Sequence, residues 1–362
     1  VIKLKKKRKM IKILFVNRPD SIEKKGGDYF TMLETMKYVE KSGFNVSSLL
    51  DYPPKDPKID VDLIHIFNLG TAKFTYEWVK YAKKYKIPII LSTIYWKRNP
   101  FKDKKLVNIF SLDKWERKEY IRSFFSPLEK FQEKYIIQKK IVEEVDFLIT
   151  YTFLEKKLIK EKFNVNIDNK TEIIHHGIDE DKFTEVPQNN KRNLILQVGA
   201  IGPRKNQLST IKAILNLEIP VYFIGRIEDK EYYNYCKEIA GKSKNIFFIP
   251  EISHSEVIDF FKKAKVHVLP SWKDIIPRVN LEASAMGCNI VTTTESYERE
   301  IYGEDAWYCK PYDIKNLRKC ILEAYNSPLN MKLANKIRSE YTRKKAVEKL
   351  IKFYTKISKY QG

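Results

Sequence analysis

Short, uninterrupted apolar runs recur along this chain, each followed by a longer segment whose apolar positions repeat with a helical period. Runs at 11–16, 62–67, 87–92, 147–151 and 171–174 predict strands in the first half. Runs at 194–198, 221–225, 246–249, 266–269 and 289–293 predict strands in the second. Apolar runs without alternation fit strands covered on both faces, as in a parallel sheet flanked by helices. Helices are predicted at 31–41 (stopped by Gly43), through Trp78 and Tyr85, from Leu208, at 230–241, 255–264 and 280–286 (stopped by Gly287), from Ile314, from Lys332, and at 344–359. Strand and helix in strict alternation predict an α/β chain.

The most informative stretch is LPSWKDIIPRVNLEASAMGCNIV, residues 269–291: strand, polar loop, helix, glycine stop, strand. Parallel sheets place ligands at the carboxyl ends of their strands, here the loop 270–280 and the helix start behind it. Asp274 and Glu282, with seven residues between them, bracket that helix start and can face one molecule. Two solvated carboxylates beside a helix start are the alternative. GAIGPRKNQ (199–207) likewise follows a strand and precedes a helix. At that position Arg204 and Lys205 are suited to holding phosphate beside the free N–H groups of the helix, although adjacent cations also occur in solvated turns. Both side chains are expected to be solvent-accessible. Gly26-Gly27, in the loop after the first strand, allow a phosphate to approach the backbone or simply form a turn.

At 362 residues and 43% apolar content the chain is long enough for two cored domains. No apolar run approaches the ~18–20 residues of a membrane span. The net charge of +22 is divided evenly between the two halves, which argues against a nucleic-acid-binding tail and fits anionic substrates and an anionic membrane surface. Residues 1–10 (VIKLKKKRKM) lack the apolar core of a signal peptide and are expected to form a disordered basic arm, with a membrane-surface anchor as the alternative. Cys236, Cys288, Cys309 and Cys320 show no metal-like spacing, which fits reduced thiols in the cytoplasm. Asp60-Val61-Asp62 spells DxD but at the amino end of a strand, the wrong end for a ligand. His175-His176 have no accompanying ligands, and no metal is expected. His65 lines a cleft or packs within its strand. The basic, aromatic segment 95–140, with Trp96, Phe101, Phe110, Trp115, Phe124, Phe125 and Phe131, forms ordinary amphipathic helices or an acceptor-side, membrane-docking surface.

The block 270–291 resembles the Glu-x7-Glu signature of family 4 retaining glycosyltransferases, matching at Pro270, Ser271, Glu282, Ala283, Ala285, Gly287 and Val291. It departs at Asp274, which replaces the first glutamate, and at Pro277-Arg278, where glycines are common. Residues 199–207 resemble the family's VGR...KG loop, with Lys205 at the lysine, Ala200 where arginine is usual, and Arg204 expected to compensate. HHGIDEDKF (175–183) resembles the interdomain junction, and Glu300 and Pro311 echo later landmarks.

This resemblance implies a GT-B fold: two Rossmann-like domains facing across a cleft, with a C-terminal helix crossing back to the first. The expected boundaries are 1–187 for the acceptor-side domain, 188–343 for the donor domain and 344–362 for the helix, with a linker at 186–192. The implied activity is retaining, metal-independent transfer of a sugar from a nucleotide-diphosphate donor to a glycan, lipid-linked or other hydroxyl acceptor in surface-polysaccharide or glycoconjugate synthesis. No cofactor and no nucleic-acid partner are implied. The expected location is cytoplasmic, with peripheral association at the inner face of the cell membrane as a further option. Lys205, Arg204 and Asp274 are the catalytic candidates. Gly26, Gly27, Ile252, Ile275, Ile276, Val279 and Glu282 are the donor-binding ones, with Ile252 in the turn that meets the base and 275–279 offering backbone to the sugar. The family's cleft histidine is not carried over, because STIYW follows the strand 87–92. A GT-B nucleotide-sugar epimerase and a non-catalytic sugar-nucleotide-binding protein are the alternatives.

Overall fold

The computed structural model describes residues 10–23, 26–96, 113–124, 132–186, 192–241 and 243–359. The arm at 1–9, most of the linker, and Phe101, Phe110, Phe125 and Phe131 lie outside the described residues. In chain order the elements of the first half are β1 (Lys12–Val16), α1 (Gly27–Lys41), β2 (Asn45–Leu49), β3 (Leu63–Phe67), α2 (Ala72–Tyr85), β4 (Ile89–Ser92), α3 (Lys114–Phe124), α4 (Glu133–Glu144), β5 (Phe147–Thr150), α5 (Phe153–Phe163) and β6 (Thr171–Ile173). Then follow β7 (Leu194–Val198), α6 (Gln207–Ile214), β8 (Val221–Ile224), α7 (Lys230–Ala240), β9 (Ile246–Ile249), α8 (His254–Lys263), β10 (Ala264–Leu269), α9 (Arg278–Ala285), β11 (Asn289–Thr293), α10 (Arg299–Tyr302), β12 (Trp307–Cys309), α11 (Ile314–Asn326), α12 (Met331–Glu340) and α13 (Arg343–Lys359).

The chain divides into two compact units. The first comprises Val1–Tyr95, Leu128–His175 and Ala346–Gly362, and the second Trp96–Pro127 and His176–Lys345. The first unit's sheet runs β2-β1-β3-β4-β5-β6, parallel throughout. Successive residues of β1 point to opposite faces, as the strand period requires. Leu14 and Val16 join Trp78 of α2 and Ile141 of α4, whereas Ile13 and Phe15 join Met32 and Val39 of α1. Leu350, Phe353, Tyr354 and Ile357 of α13 complete that second core layer. β2, with the sequence NVSSL and largely exposed, carries no apolar run and escapes prediction because it is an edge strand.

His65 packs within its strand. It is buried and stacked on Phe67, with Nδ1 2.5 Å from the Tyr354 hydroxyl and Nε2 2.9 Å from Ser92 Oγ. Burial pushes its pKa down to about 3. The DxD acids serve β1: Asp62 Oδ2 accepts from Lys12 N at 2.8 Å and Asp60 pairs with the Lys12 ammonium. His175 Nδ1 lies 2.7 Å from the Tyr151 carbonyl oxygen, a loop contact.

The second sheet is parallel in the order β12-β11-β10-β7-β8-β9. The chain builds outward from β7 through β8 to β9, then returns to place β10 on the other side of β7. Loops after β7 and β10 therefore diverge from adjacent strand ends, and a parallel sheet opens its ligand crevice at such a reversal. The expected boundary at 187/188 differs from the observed division, which falls between His175 and His176, and α3 also belongs to the second unit. Asp113 Oδ1 caps α3 by accepting from Trp115 N and Glu116 N, while Asp113 Oδ2 pairs with Lys212 of α6 at 3.2 Å. Trp115 meets Tyr232 of α7 edge-on at 5.1 Å. Charge and aromatic complementarity to α6 and α7 thus place a segment that chain order alone assigns to the first domain.

Just after β8, Gly225 has φ +152°, and a Cβ there would lie 2.2 Å from the Gly199 carbonyl oxygen. Gly225→Ala is expected to cost roughly 3 kcal/mol through strain and clash, measured by denaturant unfolding; unchanged stability would contradict the close approach.

Candidate active site in the second unit

The loop after β7 is fixed by one side chain and one backbone amide that donate to its carbonyls. Gln197 Nε2 donates to the Lys205 carbonyl at 2.8 Å, and Trp272 N donates to the Arg204 carbonyl at 2.9 Å. Asn206 adopts a left-handed conformation (φ 59°) between the loop and α6. Its Nδ2 donates to the carbonyls of Pro270 (3.0 Å) and Pro311 (2.7 Å), and its Oδ1 accepts from Ser209 Oγ at 2.8 Å. One buried amide therefore ties together the chain segments that follow β7, β10 and β12.

On this frame Lys205, Arg204 and Asp274 come together. Lys205 Nζ donates to Asp274 Oδ2 at 2.8 Å, and Arg204 Nη1 donates to Asp274 Oδ1 at 3.1 Å. Lys205 is only 9% exposed, which corrects the expectation of an accessible side chain; the Arg204 side chain is 43% exposed. The loop contacts that seat the lysine draw it inward, whereas Arg204 reaches along the surface. Burial pushes the Lys205 pKa below its ordinary value, aided by the Arg204 charge and opposed by Asp274 and Glu298. Burial also pushes Asp274 upward, but the charges of Lys205 and Arg204 outweigh it and hold the carboxylate below its usual range. The three side chains thus meet as a lysine–carboxylate–arginine triad centred on Asp274.

The other expected site residues divide. Ile275 and Ile276 are buried, Val279 is half-buried in the first turn of α9, and no side chain caps that helix. The Ile275 carbonyl already accepts from Tyr297 N at 3.0 Å, so it is engaged within the fold. Ile252 is half-buried in the loop between β9 and α8. Glu282, 6% exposed on α9, is bound by His254, whose Nε2 lies 3.2 Å from Glu282 Oε2. Gly26 and Gly27 belong to the first unit and start α1, outside this group. A Cβ on Gly26 would lie 2.6 Å from Asp28 Oδ1, while one on Gly27 would meet nothing within 4 Å.

Three residues of the site escaped the sequence reading: Asn206, His254 and Glu298. Asn206 sits in the quoted loop as an ordinary polar residue. For His254, the Ser253-x-x-Glu256 capping box was the available signal. Glu298 carried none. It is fully buried, accepting from Asn280 Nδ2 at 2.7 Å, Ser296 Oγ at 2.9 Å and Thr292 Oγ1. Burial pushes it up to about 7 against those hydrogen bonds, with the Asp274 charge adding to the rise.

Fold and site together define a two-unit Rossmann-type α/β protein with a cation pair at the reversal point of its second sheet. The chain belongs to the glycosyl transferases group 1 family, whose model matches residues 178–358, half of the sequence. It is 23% identical over 169 residues to the D-inositol 3-phosphate glycosyltransferase of Mycobacterium sp. (strain JLS), a match spanning 42% of this chain and 38% of that protein. Among solved structures it resembles sucrose-phosphate synthase from Thermosynechococcus elongatus, at TM-score 0.71 and 13% identity over 96% of this chain and 99% of that one. It also resembles Anabaena HepE in complex with UDP and glucose, at TM-score 0.68 and 10% identity over 96% and 100% of the two chains. At these identities the likeness establishes the fold, which is GT-B.

Glu298 gives the site a pH signature. Below pH 4.5 its carboxyl is neutral folded or unfolded. As pH rises towards about 7 the unfolded chain releases the proton while the fold retains it, so stability falls. Wild type is expected to lose on the order of 3 kcal/mol relative to Glu298→Gln between pH 4.5 and 8, read from denaturant unfolding at each pH. A constant difference would place the group's pKa in the ordinary range.

Proposed function

We propose that this chain is a retaining glycosyltransferase that moves a sugar from a nucleoside-diphosphate donor to a hydroxyl acceptor. The observation that carries the reading is the Lys205–Asp274–Arg204 triad at the reversal point between β7 and β10. Family membership supports it, as do structural relatives solved in complex with UDP and with UDP-glucose. Breaking the bond between the anomeric carbon and the diphosphate oxygen leaves negative charge on that oxygen. Cations already in place stabilise this charge without reorganising as it develops. Lys205 and Arg204 supply the two cations, and Asp274 holds them in register until the diphosphate shares them.

Asp274 and the amides at the start of α9 face the sugar, Glu282 accepts from the ribose hydroxyls, and Ile252 lies against the base. The acceptor oxygen bonds to the anomeric carbon on the face the diphosphate leaves, and a donor phosphate oxygen takes the acceptor's proton. No protein nucleophile and no metal enters this scheme. The acceptor is a glycan or lipid-linked hydroxyl in surface-polysaccharide or glycoconjugate synthesis. The working place is the inner face of the cell membrane, where anionic lipid attracts a chain of net charge +22.

Incubation with a panel of UDP-, GDP- and ADP-sugars tests the reading directly. Transfer or slow donor hydrolysis is expected; epimer formation would establish the epimerase alternative, and binding without turnover the non-catalytic one. Lys205→Ala is expected to lower kcat by roughly 10²–10³, about 3–4 kcal/mol of lost transition-state stabilisation, and Arg204→Ala by less because its side chain is more exposed. Thermal unfolding of both variants and of Lys205→Gln separates lost chemistry from lost fold, and near wild-type transfer by Lys205→Ala would remove the phosphate role. Activity is expected to persist in EDTA. Complete loss, restored by Mg²⁺ or Mn²⁺, would overturn the metal-free mechanism.

A further inference from the structure

The half-exposed imidazole of His254 touches the buried carboxylate of Glu282 with an Nε2 to Oε2 separation of 3.2 Å. The two side chains come from different helices, the histidine from the first residue of α8 and the glutamate from α9. The backbone beneath His254 is tightly set. Ser253 caps α8 by accepting from Glu256 N at 3.3 Å, and Glu256 Oε2 returns the bond to Ser253 N at 2.9 Å. The ring is also braced from outside the helix. Buried Phe183 meets it edge-on at 6.1 Å, within the segment 175–183 that the sequence marked as a junction motif. The same segment continues to Val186, which packs on the far end of α9, where a Cβ on Gly287 would lie 2.9 Å from Val186 Cγ1. The junction thus backs α9 at its end and, through His254, at its carboxylate.

We propose that His254 is a positioning residue for nucleotide recognition, resting on the reading of Glu282 as the ribose-binding carboxylate. A carboxylate side chain has several rotamers, and a vicinal diol is bound well only when both oxygens are held in one plane and direction. With Nε2 3.2 Å from Oε2, His254 sits against one carboxylate oxygen and limits the side chain's rotation, leaving the other oxygen to accept from the 2′- and 3′-hydroxyls. The contact spans two helices that follow different strands, so it also links the loop after β9 to α9. His254 thereby sharpens the choice of ribonucleotide over 2′-deoxyribonucleotide, and it does so without taking part in the transfer step.

The test measures dissociation constants of UDP, GDP, ADP and their 2′-deoxy counterparts for wild type, His254→Ala, His254→Gln and Glu282→Gln, together with KM and kcat for the best donor sugar. His254→Ala is expected to weaken the preferred ribonucleoside diphosphate and raise donor KM about 5- to 10-fold. It should shrink the ribo-to-deoxy preference by a similar factor and leave kcat within about twofold. His254→Gln, which retains an N–H donor, is expected to recover most of the loss. His254 is half-exposed, and thermal unfolding confirms that each variant is folded. Loss of affinity in Glu282→Gln with none in His254→Ala would overturn the positioning role and leave the ribose reading standing. Equal loss for ribo and deoxy ligands in His254→Ala would overturn it also, as would failure of the glutamine to rescue. Unchanged affinity in Glu282→Gln would remove the ribose reading and this proposal with it.

Discussion

A lysine ammonium taken out of water is costly unless an opposite charge and good hydrogen-bond geometry accompany it. Lys205 is in that position, and much of the second unit's upper surface is arranged around meeting the requirement. Asp274 supplies the charge, Gln197 and Trp272 hold the loop that carries the lysine and its neighbour, and Asn206 locks that loop to the segments after β10 and β12. A site meant to receive charge at the moment a bond breaks needs dipoles and cations that do not have to reorganise. Burial deprives Lys205 of the mobility that an exposed lysine keeps.

The carboxylates around this centre are sorted by environment. Asp274 lies against two cations and is held ionised below the usual range. Glu298, reached only by neutral donors, keeps its proton to about 7. Glu282, one turn into α9 and away from the triad's direct hydrogen bonds, is engaged by a histidine instead. Three acids in one neighbourhood therefore do three different things: one holds cations, one knits strand β11 to the helix start beneath the loop, and one presents a carboxylate bound on a single side.

The first unit follows the same economy of loops on a parallel sheet, with its own polar cluster where α1 starts. Arg18 Nε and Asn68 Nδ2 both donate to Asp28 Oδ2 at 3.2 Å, closing over Gly26. The two glycines differ: a Cβ on Gly26 would press on Asp28 Oδ1 at 2.6 Å and require that side chain to shift, while one on Gly27 would meet nothing within 4 Å.

Apolar runs and their helical intervals were enough to place nearly every buried strand, and the spacing from 269 to 291 was enough to mark the loop and helix of the site. Those features are local: burial on both faces demands contiguous apolar residues, and a helix start or glycine stop is written within a few positions. Strands β2 and β12 were not legible, because NVSSL is largely polar and exposed and Trp307–Cys309 is only three residues long. The partners of the site residues were not legible either. That Asp274 holds Lys205, 69 positions away, that Glu298 sits under α9, and that His254 reaches Glu282 depend on which strand lies beside β7. The same holds for α3, carried out of the first unit by contacts with α6 and α7. The sequence by itself determined which residues could carry charge at strand ends; only the tertiary structure decided which charges meet, because strand order, not chain order, sets those distances.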